Sequence, residues 1–157
     1  MGKLFFIREF VSSSSERKDE MSNNIEKVRM LEFKECGDEK GNLVVIEGER
    51  DIPFTIKRAF YIYGSTPDVI RGRHANKRTK FVLINVAGKS KVKIKDGKGN
   101  EIVYCLNRAK TGLYIPEMVW KEMYDFSEDS VLLCLASEYY DDEEYIREYE
   151  DYQEYIK

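Results

Sequence analysis

The stretch "KSKVKIK", residues 89–95, alternates with a period of two, with Ser90, Val92 and Ile94 on one side and Lys89, Lys91, Lys93 and Lys95 on the other. That period belongs to a β-strand with one face in a core and the other in water. The lysine row reads as a solvated outer face whose charge discourages edge pairing, rather than as a phosphate-binding stripe. The strand has company. Between residues 43 and 138, short apolar runs such as "LVVIEG", "FTIKRAFYIYG", "KFVLINVAG", "EIVYCLN" and "SVLLCLASEYY" are separated by turn signals such as "STPD" and "DGKGN". This succession predicts an all-β antiparallel sandwich or barrel rather than alternating strands and helices.

The tail, "DDEEYIREYEDYQEYIK", changes period. Tyr145, Tyr149, Tyr152 and Ile156 recur at helical spacing, with acidic residues at the start. The pattern predicts a helix over about residues 141–156 that packs its tyrosine stripe on the barrel or on a partner subunit. A length of 157 residues fits one domain, read as a flexible leader or upstream extension over 1–22 and a folded unit over 23–157.

Several function classes fall away on composition. The formal charge of −3 argues against nucleic acid as a partner. The early apolar run is broken by Arg8 and Glu9, and nothing later approaches the roughly 18 apolar residues of a membrane span, so no membrane partner is expected. Cys36, Cys105 and Cys134 are odd in number and lack CxxC spacing, which points to reduced thiols in a cytoplasmic protein.

The chemistry gathers in "RGRHANK", residues 71–77, which holds the only histidine of the chain, His74. One imidazole cannot supply the two or three of a histidine-based metal site, so neither a metal nor a cofactor is expected. Histidine is, however, the side chain suited to proton exchange near neutral pH. On a strand, His74, Asn76 and Arg78 share one face. In the preceding strand Tyr61 shares a face with Ala59 and Tyr63, opposite Arg58, Phe60 and Ile62. A tyrosine and a histidine facing one cavity would form a proton-transfer pair, although strand tyrosines are more often packing residues.

The segments "IPFTIKRAFYIYG", "RGRHANK" and "GLYIPEMVWKEMYDFSEDSVLLCLASEYYDDEEYIREY" resemble the dTDP-sugar 3,4-ketoisomerases, cupins of the WxcM-like C-terminal type, over about residues 28–155. The resemblance implies an RmlC-like jelly-roll barrel spanning about residues 28–138 with a C-terminal α-helix. It implies a homodimer with N-terminal strand exchange and a dTDP-4-oxo-6-deoxyhexose substrate. The reaction it implies moves the oxo group from C4 to C3 through an enediolate, without metal, in deoxyamino-sugar biosynthesis for surface glycans.

The same resemblance assigns roles. His74 matches the first histidine of the family's "RGxHAHK" and would be the base. Tyr61 matches a tyrosine of "RxYYI" and would share the proton or bind the oxyanion. Arg71 and Arg58 would hold sugar hydroxyls or pyrophosphate, with Asn76 and Arg78 as further substrate contacts. Trp120 would stack on thymine or belong to the core, and Tyr114 would line the cavity mouth or equally serve in packing. The chain departs from the pattern at Asn76, where the family has its second histidine, and at Phe81, where a polar residue is usual. Two alternatives therefore stay open: an epimerase on the same scaffold, and a non-catalytic cupin that binds the nucleotide sugar.

Overall fold

The computed structural model describes residues 24–157, and the leader expected over 1–22 lies outside them. A 3-10 turn over Asn24–Lys27 leads into the strands. These are β1 (Arg29–Glu32), β2 (Lys34–Asp38), β3 (Gly41–Val45), β4 (Arg58–Tyr63), β5 (Arg71–Asn76) and β6 (Phe81–Ala87). Then follow β7 (Ser90–Lys95), β8 (Glu101–Leu106), β9 (Thr111–Ile115), β10 (Trp120–Tyr124), β11 (Val131–Ala136) and β12 (Tyr145–Ile146), before helix α1 (Tyr149–Tyr155). All strand pairings are antiparallel. One sheet has the order β1-β9-β6-β11-β4, a second β12-β5-β10-β7-β8, and β2-β3 form a separate hairpin.

The two five-stranded sheets face each other across the main core. Phe81, Leu83, Leu113, Leu132 and Cys134 from the first sheet meet Val92, Ile94, Leu106 and Met123 from the second. The alternation in "KSKVKIK" is realised as read: Ser90, Val92 and Ile94 are buried, and the lysines between them are not. Those lysines are paired, Lys91 with Asp125 at 2.9 Å and Lys95 with Glu101 at 2.9 Å.

Each sheet also has a covered outer face. Val82, Ile84 and Leu135 on the first sheet lie beneath Phe33, Ile52 and Phe54. This double burial explains why β6 reads as a continuous apolar run rather than an alternation. On the second sheet, Ala75 and Trp120 are covered by Ile146 and Tyr152, with Tyr149 and Ile156 against them.

The C-terminal helix is shorter than the tyrosine spacing predicts. Residues Asp142–Glu144 form a 3-10 turn capped by Asp141, and Tyr145–Ile146 pair with Asn76 and Ala75 as β12. Only Tyr149–Tyr155 are α-helical. Three consecutive acidic residues, Asp142, Glu143 and Glu144, begin this segment, and two of their carboxylates are taken up by Arg147 and by the buried Thr79. Tyr145 is thereby removed from the helical stripe and turned toward His74.

Candidate active site

Strand β5 enters the second sheet through a β-bulge. His74 pairs with Lys121 and Gly72 with Glu122, leaving Arg73 as the extra residue. Gly72 has φ 83° and Arg73 φ 55°, both in the left-handed region. A Cβ on Gly72 would stand 2.8 Å from the Lys121 carbonyl oxygen, so a side chain there is excluded by space as well as by backbone conformation. The bulge brings the His74 ring back over its own strand, with Nδ1 3.0 Å from the Gly72 carbonyl oxygen. A carbonyl only accepts, so Nδ1 carries the proton and Nε2 keeps its lone pair.

The His74 ring meets Tyr145 edge to face, with centroids 4.9 Å apart. Its pKa is lowered to about 3, chiefly because burial penalises the imidazolium and secondly because of the positive charge of Lys121. The hydrogen bond to Gly72 opposes this shift, while Arg147 adds to it. At neutral pH His74 is therefore a neutral imidazole with a free nitrogen, the form a general base requires.

His74 lines a cavity of about 340 Å³ between the sheets. Its apolar wall includes Phe60, Ile62, Phe81, Leu83 and Met123, and its polar contributors are Arg71, His74, Lys121 and the phenols of Tyr61 and Tyr145. Arg71 is anchored by its Nε, which donates to Ser65 Oγ at 3.1 Å. Cys134 also borders the cavity, but burial pushes its thiol up to about 12 and leaves it protonated.

Behind the wall lies a chain of buried polar groups. Lys121 Nζ donates to Asn76 Oδ1 at 2.6 Å, and Asn76 Nδ2 donates to Glu144 Oε1 at 3.2 Å. Glu144 also accepts from the backbone N–H of Thr79 at 3.2 Å and from the Thr79 hydroxyl. Asn76 is thus a link between a buried lysine and a buried carboxylate.

The other expected site residues divide. Arg58 Nε and one terminal nitrogen are buried without a hydrogen-bond partner, and the guanidinium lies over the rings of Phe60 and Tyr140. Tyr61 touches the cavity rim, but it pairs with Leu133 on the outer face of β4, is 64% exposed and packs beside Tyr63. The residue that β4 turns inward is Phe60, edge to face with Phe81. Arg78 does not continue the His74 face, because β5 ends at Asn76; it pairs with Asp141 at 2.6 Å over a separate surface depression.

Tyr114 and Trp120 take packing positions. Tyr114 is buried on the outer side of the first sheet, near Phe54 and beneath the Arg29 guanidinium. Trp120 is 4% exposed and packs against Tyr149 and Tyr152 under the helix. Neither lines the His74 cavity. Lys121, which does, was missed, although a signal existed. On a strand it alternates in phase with Val119 and Met123, both apolar and buried, whereas Trp120 shares its phase with Glu122 and Tyr124.

The family described as "WxcM-like, C-terminal" matches residues 26–157, nearly the whole described chain. The chain belongs to that family. A curated TDP-4-oxo-6-deoxy-alpha-D-glucose-3,4-oxoisomerase of Aneurinibacillus thermoaerophilus is 41% identical over 128 residues, covering 82% of this chain and 91% of the relative. Among solved structures, the sugar 3,4-ketoisomerase QdtA from Thermoanaerobacterium thermosaccharolyticum, in complex with TDP, is 45% identical with a TM-score of 0.80, covering 82% and 93% of the two chains. The TDP-fucose-3,4-ketoisomerase WlaRA from Campylobacter jejuni is 41% identical with a TM-score of 0.78, covering 83% and 96%. A dTDP-4-dehydrorhamnose 3,5-epimerase from Bacillus anthracis shares the fold at 16% identity and a TM-score of 0.68.

Of the two departures read from the sequence, Phe81 stands in the cavity wall and Asn76 behind it on Lys121. The cavity-facing position of "RxYYI" holds Phe60, and the second histidine of "RGxHAHK" is Asn76. Neither side chain can exchange a proton at neutral pH.

Proposed function

We propose that this chain is a nucleotide-sugar 3,4-ketoisomerase that moves the oxo group of a dTDP-4-oxo-6-deoxyhexose from C4 to C3 by acid/base proton transfer. The observation that carries the reading is the position of His74. A neutral imidazole with a free Nε2 borders an interior cavity of a chain 41% identical to a 3,4-oxoisomerase over most of both proteins. In the reaction, the C3–H proton passes to His74 and its electron pair becomes the C3=C4 bond of an enediolate. The same imidazolium returns the proton to C4, so C3 is oxidised and C4 reduced with no external oxidant.

Arg71 and the unpartnered nitrogens of Arg58 supply charge-assisted donors for sugar oxygens or the pyrophosphate. Metal-independence is part of the proposal. It rests on a donor set with one histidine, and among the described residues no three of His, Cys, Asp and Glu cluster as metal ligands would. Undiminished turnover after extensive chelation supports it, and a loss restored by a divalent cation contradicts it.

The assembly proposed is a cytoplasmic homodimer with N-terminal strand exchange. Exposed Tyr61 and Tyr63, on the edge strand β4, give an aromatic surface of the kind that interfaces use. Among the described residues no helix is long and apolar enough to cross a membrane. Light scattering should report a dimer at micromolar concentration; a monomer would contradict the assembly. The activity is tested by NMR of dTDP-4-oxo-6-deoxyglucose incubated with the protein, in parallel with the UDP-linked analogue. A 3-oxo product from the dTDP sugar is expected, and unchanged or merely epimerised 4-oxo sugar would overturn the reading.

A further inference from the structure

A 3,4-ketoisomerisation moves two protons: one from C3 to C4, and one from the hydroxyl O3 to the former carbonyl oxygen O4. His74 accounts for the first. The second needs a group that can give a proton to O4 and take one from O3, and the positions facing the cavity as Phe60 and placed behind it as Asn76 hold side chains that cannot.

Lys121 stands where such a group is needed. It is opposite His74 across the β5–β10 pair, on the same face, and it lines the same cavity. It is 3% exposed, and an ammonium has three donors. One is taken by Asn76 Oδ1 at 2.6 Å, its single hydrogen-bond partner among the described residues, and the Nζ sits 4.6 Å from the centre of the Phe81 ring. Buried ammonium donors without acceptors are costly, and a sugar oxygen in the cavity would supply the missing ones.

We propose that Lys121 is the second proton-transfer group of this site, carrying the proton between O3 and O4 while His74 carries the one between C3 and C4. The proposal rests on the ketoisomerase reading. As the C3–H pair moves into the C3=C4 bond, O4 takes a proton from the Lys121 ammonium. As the 3-oxo group forms, the neutral amine takes the O3 proton, and the lysine ends the cycle as it began.

The surroundings suit that traffic. Burial lowers the Lys121 pKa to about 7, against the opposing pull of the Glu144 carboxylate, while Arg58 lowers it further. With His74 and the Cys134 thiol these are the titratable and charged groups that face it, and Arg71, Tyr61 and Tyr145 share the cavity. The two cavity bases are pushed apart, so at neutral pH Lys121 holds the proton that His74 does not, the division of labour that an acid and a base require.

The test uses Lys121→Arg, which keeps a charge beside O4 but cannot release a proton at neutral pH. With dTDP-4-oxo-6-deoxyglucose in deuterium oxide, the variant should exchange C3–H within ~10-fold of wild type while forming 3-oxo product at least ~10²-fold more slowly. The wild-type rate should fall as pH rises through about 7, and the variant should lack that limb. Near-normal isomerisation by Lys121→Arg, or retention of the limb, would overturn the proposal.

A measurement that needs no variant guards against a folding failure. In wild-type protein carrying 13Cε-lysine, one resonance should titrate near pH 7 and move on addition of the oxo-sugar; no lysine titrating below about pH 9 would overturn the role. An inert wild type would instead overturn the ketoisomerase reading, whereas an active wild type with an equally active Lys121→Arg would overturn the lysine's part alone.

Discussion

His74 and Lys121 stand opposite each other in the β5–β10 register, and both line the same interior cavity. Two bases so placed cannot both be charged without mutual repulsion, and burial penalises each charge further. The pair therefore differentiates, with the imidazole neutral and the ammonium the first to bind the available proton. The bulge at Arg73 keeps His74 in register with Lys121 and supplies the Gly72 carbonyl that fixes its tautomer.

The bulge is itself testable. Gly72→Ala places a Cβ against the Lys121 carbonyl and demands a left-handed φ of an L residue. The variant should lose about 1–3 kcal/mol of stability, and its turnover should fall by more than its nucleotide affinity, because the strand must shift beneath His74. Denaturant unfolding and kinetics on one preparation measure both; unchanged values for both would show that the bulge does not position the ring.

Asn76→Ala should separate the link from the chemistry. It removes the acceptor of Lys121 and a donor to Glu144, and the unsatisfied buried groups should cost about 1–3 kcal/mol or more. The lost acceptor favours the neutral amine, so the high-pH limb of the activity profile should move to lower pH. A limb that stays in place would show that Asn76 does not tune the lysine.

Trp120→Ala should destabilise the protein by about 3–5 kcal/mol, since it vacates the contact between the second sheet and the tyrosines of α1. Affinity for dTDP should stay near the wild-type value. Calorimetric titration that finds nucleotide binding abolished in a still-folded variant would favour the stacking role over the packing one.

Stability should depend on pH through the same two bases. Both fold with lowered pKa values, so the unfolded chain binds more protons, between about 3 and 6.5 for His74 and between about 7 and 10.5 for Lys121. Stability should rise with pH through each window, by up to ~1.4 kcal/mol per pH unit. His74→Asn should flatten the lower window. An unaltered acid slope in that variant would assign the slope to other groups.

The sequence made the strand order of events visible where one face was buried. "KSKVKIK" announced its own faces because water covers the lysines. The tyrosine spacing of the tail was correct for Tyr149, Tyr152 and Ile156 but extended one step too far. Pairing of Tyr145 and Ile146 with β5 competes with the helix, and that partner is distant in sequence. His74 stands out in the sequence because its neighbours carry a family pattern. Tyr61 reaches only the cavity rim because two adjacent aromatics, Phe60 and Tyr61, alternate faces, and it is the phenyl ring of Phe60 that faces inward. Lys121 was hidden by its type: a lysine on a strand is ordinarily outside, and only its phase with Val119 and Met123 marks it as interior.

The central claim is that His74 moves the proton that relocates the oxo group, and 13C NMR in deuterium oxide tests it most directly. Wild-type protein incubated with dTDP-4-oxo-6-deoxyglucose should shift the carbonyl resonance from C4 to C3. The His74→Asn variant, still folded and still binding dTDP, should do so at least ~10²-fold more slowly and should not introduce deuterium at C3. A His74→Asn variant that isomerises the sugar at close to the wild-type rate would contradict the account.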